Sequence, residues 1–366
     1  MGKKPRTAGL PVPVVVVGAS AGGLKPIGQF LDHMPAKNGM AFVVIQHLDP
    51  AGKSLLPELL AKHTAMKVQL AEEGDTLRPN EVYVIAPGVY LTLKPGKLHL
   101  EAAPPGVGAR MPVDVFLQSL AANHGPRGIG VILSGTGSDG ALGLKSLKDA
   151  GGLTLVQEPG EAEHDGMPQQ AIAAAEPDFV LPVAEMPQAL LHYAARHYGK
   201  AKPGIAHDGR NAEHLQAVVE VLKLVAGQDF EQYKTGTVER RIERRMGLHG
   251  LESWEDYVAL LHEDTAEVEA LGKDLLIHVT QFFRDPDAFT YLAAQVLPEL
   301  LSRHSLDQPV RIWVPGCSTG EEAYSLGMLF LEQIALAGRP LKLQIFATDI
   351  EDDALEMARA GVYPEA

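Results

Sequence analysis

The stretch that most constrains this chain of 366 residues is VPVVVVGASAGGLKPIGQFL, residues 12–31. A run of β-branched residues reads as a buried strand, and the spacing from Leu24 to Met34 reads as a helix. Between them a serine, Ser20, stands among glycines. A strand passing into a helix through so short a turn is the unit of an α/β fold. The turn itself has two readings. Gly-x-Ser-x-Gly after a strand describes a nucleophile elbow, with the hydroxyl raised at a helix N-terminus where free N–H groups can hold an oxyanion. The same glycines also suit a phosphate-binding turn, although Ser20 breaks the dinucleotide pattern G-x-G-x-x-G. On this motif alone the two stand equal.

The unit repeats. Met40–Gln46 is a second apolar strand, followed by a helix around Ser54–His63. A β-rich interval comes next, with strands at Val82–Ala86, Tyr90–Leu93 and Lys97–Leu100, the last two joined by Pro95-Gly96. Pro112–Asn123 is helical, Ile129–Leu133 is a strand and Ala141–Asp149 a helix. Leu153–Gln157 and Phe179–Leu181 are further short strands. This rhythm predicts a doubly wound, mostly parallel sheet with helices on both faces. Residues 199–212, rich in Gly, Pro and charge, read as a linker. From Glu213 to Arg303 the period is helical throughout. Val310–Val314 and Leu343–Ala347 then restart an α/β pattern. The reading is an α/β domain over 12–198, a helical domain over 213–303 and the opening of a second α/β domain over 304–366.

Composition limits the setting. A net charge of −14 disfavours nucleic acid as a partner. One cysteine, Cys317, excludes an internal disulfide and fits a reducing compartment. The basic N-terminus leads into only a short apolar run, with no signal-peptide pattern, and no window is apolar enough to span a membrane. A soluble, cytoplasmic protein is expected.

Ser20, His47 and Asp139 each fall at or just beyond the C-terminal end of a predicted parallel strand, the edge where open α/β sheets build their sites. Singly, His47 reads as a loop histidine and Asp139 as a helix N-cap. Together they supply a nucleophile, its base and an orienting carboxylate. The order Ser…His…Asp is not that of the α/β-hydrolases.

At this point the motifs become specific. VVGASAGG, VVIQHLDP, MPVDVFLQSLA, VILSGTGSDGALGL and HDGMPQQAI, in that order over residues 12 to 195, resemble the chemotaxis-receptor protein-glutamate methylesterases. The resemblance implies Ser20 as nucleophile, His47 as general base and acid, and Asp139 as its orienting carboxylate. It implies oxyanion donors near Ala21 and in the loop Ser134–Ser138, with no cofactor or metal. The implied substrates are glutamate γ-methyl esters, and related glutamines, on receptor helices. Enzymes of this kind often carry an N-terminal phosphoacceptor domain. Only about eleven residues precede the first strand here, so control by such a domain in cis is not expected.

Phe230–Leu248, FEQYKTGTVERRIERRMGL, places Arg240, Arg241, Arg244 and Arg245 on one broad helix face, with Thr237 as a candidate cap. That face reads either as solvated, balanced by Glu239 and Glu243, or as a docking surface for an acidic partner helix. Further on, a strand, the turn Gly316–Gly320 and a helix, then a strand ending in Asp349, form the first half of a Rossmann-type site. TGTVERRIERRM, VTQFFRD, GCSTGEEAYS and ATDI resemble the chemotaxis-receptor methyltransferases that use S-adenosylmethionine. The resemblance implies cofactor contacts from Thr280, Arg284, Glu322 and Asp349, with His278 where that family often has Asn. Together the two resemblances describe a methylesterase–methyltransferase fusion. Since the sequence ends soon after the second of these strands, weak cofactor binding and no methyl transfer are expected. The rival readings are a non-catalytic signalling scaffold and a nucleotide-binding protein.

Overall fold

The computed structural model describes residues 12–47, 54–94, 96–102, 111–198, 209–276 and 280–363. Pro95, His278 and most of the expected linker lie outside the described residues. The chain divides into two compact units between Leu275 and Leu276.

The first unit opens with β1 (Val14–Ala19), α1 (Leu24–Asp32), β2 (Ala41–Gln46), α2 (Leu56–Leu60), β3 (Lys67–Leu70) and β4 (Glu81–Val84). It continues with β5 (Val89–Lys94), β6 (Lys97–Ala102), α3 (Pro112–His124), β7 (Gly128–Ile132), α4 (Ala141–Asp149) and β8 (Leu153–Gln157). It closes its α/β part with α5 (Gly166–Ala175), β9 (Phe179–Leu181) and α6 (Met186–His197). Seven strands form one sheet in the order β3-β4-β2-β1-β7-β8-β9, and every pairing within it is parallel. β5 and β6 form a separate antiparallel hairpin. The doubly wound reading therefore holds.

Alternation along β1 shows why the sheet is buried on both sides. Val15, Val17 and Ala19 pack with Ile27 and Phe30 of α1 and with Leu190 and Tyr193 of α6. Val14 and Val16 face the other way, toward Phe116 and Leu117 of α3 and Leu144 of α4. β1 thus sends its helix to one face while β7 sends α4 to the other. The winding reverses between them, which opens a crevice at the C-terminal ends of these strands.

Four helices complete the first unit: α7 (Gly209–Val225), α8 (Thr235–His249), α9 (Trp254–Glu263) and α10 (Thr265–Leu275). α8 begins at Thr235, so Thr237 lies inside the first turn rather than capping it. Arg240 is exposed, but the other three arginines of this face are engaged within the chain. Arg241 donates to the Asp149 carbonyl at 2.8 Å. Arg244, fully buried, donates to Asp178 ahead of β9 and to Asp274 of α10, both at 2.7 Å, and to the Gly152 carbonyl. Arg245 pairs with Glu267, which also takes hydrogen bonds from His249 and Tyr257. The acidic partner of this helix is its own chain.

The second unit holds α11 (Pro286–Tyr291), α12 (Leu297–Arg303), β10 (Val310–Pro315), α13 (Glu321–Leu336), β11 (Leu343–Thr348) and α14 (Asp352–Ala360). β10 and β11 pair in parallel. Leu297 and Leu301 of α12 pack with Val310, Phe330 and Ile334, so the helices before Arg303 belong to this core.

Candidate active site

β1 is flanked by β2 and β7, with Gly18 in register with Ile45 and with Ile132. The residues just past these three strands are therefore neighbours. The Ser20 carbonyl accepts the Gly23 N–H at 3.0 Å, closing the turn into α1, and the Ser20 N–H donates to the Ser134 carbonyl. Gly135 is a glycine by necessity: a Cβ there would fall 2.9 Å from Ser20 Cβ and closer still to the Met167 sulfur.

Ser20 Oγ lies 3.1 Å from His47 Nδ1, and His47 Nε2 lies 2.8 Å from Asp139 Oδ2. An ionised carboxylate only accepts, so Nε2 carries the ring proton and Nδ1 turns its lone pair to the serine hydroxyl. Asp139 is only 2% exposed. It accepts the N–H groups of Val113 and Asp114, at 3.0 and 2.9 Å, at the start of α3. The expected alternative, Asp139 as the cap of the helix that follows it, gives way to Gly140 at that position. Asp139 caps α3 instead, and the same oxygen holds His47.

Among the described residues, the Ala21 and Gly22 N–H groups donate to no backbone carbonyl and lie beside Ser20 at the head of α1. They are placed to receive an oxyanion. In the second expected donor loop, the Ser134 N–H is taken by Gln157 Oε1 and the Gly135 N–H by the His164 carbonyl. Thr136 to Ser138 remain as candidates there.

An open cleft of about 1020 Å³ lies over Ser20 and His47. Its walls carry Leu24, Lys25, Gln46, Glu161 and Glu163, and His63 paired with Asp32 at 3.0 Å.

Two supports of this site are not visible in residue spacing. Ser134, fully buried, donates its hydroxyl to the Ala21 carbonyl and accepts the His164 N–H, so it ties the serine turn to the segment before α5. Asp114, also buried, accepts the Gly143 N–H at the head of α4 at 2.6 Å. Burial pushes its carboxyl up to about 6; the Gly143 hydrogen bond opposes this and the Asp139 charge adds to it. Both residues stand inside the motifs quoted above. Their partners, however, are backbone groups of other loops.

In the second unit, Glu322 is exposed in the first turn of α13. Asp349, just past β11, accepts the Ser318 N–H at 2.7 Å within the turn after β10. A Cβ built on Gly316, at φ +66°, meets nothing within 4 Å, so the turn has open space above it. The Phe283 N–H donates to Ser325 Oγ of α13, which brings the segment with Thr280 and Arg284 beside the same helix. A turn with free space, an acid beyond the second strand and a second acid on the helix suit a ligand with a ribose and an amino group.

Three family models match in chain order. The CheB methylesterase model matches residues 15–190, the all-alpha domain of CheR methyltransferase residues 213–276, and the SAM binding domain of CheR methyltransferase residues 278–366. An uncharacterized 104.1 kDa protein of Rhodobacter capsulatus is 39% identical over 85% of this chain, which covers 35% of that protein. The protein-glutamate methylesterase FrzG of Myxococcus xanthus is 35% identical over 50% of the chain and 55% of its own length. The CheB methylesterase catalytic domain of Thermotoga maritima aligns with a TM-score of 0.46 and 28% identity, over 50% of this chain and 98% of that one. The chain thus spans between about a third and just over half of the curated relatives it matches. By the family models it is similar, in chain order, to a CheB methylesterase domain and to the all-alpha and SAM-binding domains of the CheR methyltransferases.

Proposed function

We propose that the first unit hydrolyses glutamate γ-methyl esters, and deamidates the related glutamines, on the cytoplasmic helices of chemotaxis receptors. The observation that carries this reading is the continuous hydrogen-bonded chain from Ser20 Oγ through His47 to the buried Asp139. His47 Nδ1 takes the serine proton as Oγ attacks the ester carbonyl. Negative charge on the carbonyl oxygen meets the N–H groups of Ala21 and Gly22, while Asp139 balances the imidazolium. His47 then passes its proton to the leaving methoxide, releasing methanol, or to the leaving amine of a glutamine. Water, deprotonated by His47, cleaves the acyl-serine to the glutamate carboxylate and restores Ser20. None of these steps needs a cofactor.

Thr280, Arg284, Glu322 and Asp349 are the proposed contacts of S-adenosylmethionine in the second unit. When bound, that molecule supplies an electrophilic methyl group. In this reading Asp349 and Glu322 accept from its hydroxyl and amino groups, and the turn from Gly316 to Gly320 offers backbone to its edge.

The test is methanol release from methylated receptor by the whole chain, with a fluorophosphonate label as a second readout. Ser20→Ala should abolish both release and labelling while leaving the thermal midpoint unchanged. Near-native turnover in that variant would overturn the assignment.

A further inference from the structure

Two buried aspartates cap each other's helices behind the catalytic histidine. Asp139, in the loop ahead of α4, accepts the first N–H groups of α3. Asp114, in the first turn of α3, accepts the Gly143 N–H at the head of α4, and backbone hydrogen bonds from Gly140 and Leu142 also act on its carboxyl. The exchange closes a ring: α3 holds Asp139, Asp139 holds His47, and Asp114 holds the turn from which Asp139 projects. We propose that Asp114 is a positioning residue of the triad, which fixes the Asp139 carboxylate against His47 and adds a second negative charge behind the imidazolium formed during catalysis. The proposal rests on the reading of Ser20, His47 and Asp139 given above.

Its physical basis is burial. Each carboxyl is shielded from water, and Asp114 feels Asp139 directly. A charge shielded from water acts on its neighbours more strongly than an exposed one. The lysines on the packed elements are engaged elsewhere. On α4, Lys145 pairs with Asp149 and Lys148 reaches the Glu176 carbonyl. On β5, Lys94 pairs with Glu101. On α3 itself, His124 stands at the far end, and burial lowers its pKa. β1, β2 and β7 carry no titratable side chain.

The experiment compares Asp114→Asn with Asp139→Asn in the whole chain, following methanol release from methylated receptor between pH 5 and 8. Asn at 114 keeps an acceptor for Gly143 and removes the charge. The expected result is a kcat lower by roughly 10- to 100-fold, the scale of a slightly misplaced catalytic group, with KM unchanged. The acid limb should move to lower pH and follow one ionisation where the wild type follows two overlapping ones. A purely structural aspartate would not move that limb. Wild-type kcat and pH profile in Asp114→Asn, with Asp139→Asn inactive, would overturn the role of Asp114 and leave the triad standing. An active Asp139→Asn would overturn the triad and this proposal with it. Carboxyl and imidazole NMR titration of the wild-type chain needs no variant to fold. A second inflection in the His47 ring signals, coincident with ionisation of Asp114, supports the proposal; its absence sinks it.

Discussion

Burial of Asp114 also bears on stability. Its carboxyl ionises near 3.8 in the unfolded chain and near 6 in the folded one, so the unfolded chain releases its proton first as pH rises. Stability from this residue is highest below about pH 4 and declines as pH climbs through 6, by at most roughly 3 kcal/mol, and the loss is complete above that. Asp114→Asn lacks this slope. Urea unfolding of both proteins at pH 4.5 and pH 7.5 should show the variant gaining on the wild type at the higher pH; a constant difference would contradict it. At this scale the sequence was legible only in part. Ser20, His47 and Asp139 could be named because each lies at or shortly beyond the end of a strand on one edge. Asp114 could not, and Ser134 could be named only as the edge of a donor loop, because what they do depends on backbone groups far away in sequence.

Among elements, α8 carries the largest energetic statement. Burial works against the charge on Arg244, while Asp178 and Asp274 hold it in place and raise its pKa overall. Removing the guanidinium leaves Asp178 without its counter-charge and leaves Asp274 only the more distant Arg245, at 3.9 Å. Arg244→Ala should therefore destabilise the first unit by on the order of 3–5 kcal/mol in equilibrium denaturation; a change under about 1 kcal/mol would mean that the pair is solvated. Glu267 behaves oppositely to Asp114. Burial alone would raise its carboxyl, but hydrogen bonds from His249 and Arg245, the Arg245 charge and Tyr257 bring it down to about 2. Its contribution is present above the unfolded value of 4.5 and is lost as pH falls toward 2. Glu267→Gln should thus be destabilised at pH 7 and approach the wild type near pH 2.5, as followed by helical circular dichroism. Most strands and helices of the α/β part were readable from their apolar periods. β3 was not: KVQL is a half-exposed edge strand with little apolar signal. α5 was quoted as a motif yet not recognised as a helix, since Gly166 and Pro168 obscure its start.

For the molecule as a whole, chemistry is divided between two compact units. The proposed triad lies wholly within the first, and the proposed S-adenosylmethionine contacts lie wholly within the second. Asp349→Ala should therefore abolish calorimetric binding of S-adenosylmethionine while methanol release continues at the wild-type rate. Loss of both would show that the two sites share more than a chain. The sequence separated the modules by composition and period. It placed α11 and α12 with the helical domain because a helical period carries no record of which core it serves; that assignment needs the contacts of Leu297 and Leu301.

The Arg244 ion pairs also bear on how such a protein can be inherited. Modules joined by a linker are ordinarily exchangeable, since recombination can replace one and leave the other undisturbed. Here Asp178 of the α/β part is held by an arginine that lies beyond the linker in sequence. A foreign helical module lacking that arginine would leave a carboxylate stranded in an apolar setting. Changes at positions 178, 244 and 274 are expected to travel together, as they do across the interface of an obligate pair of proteins.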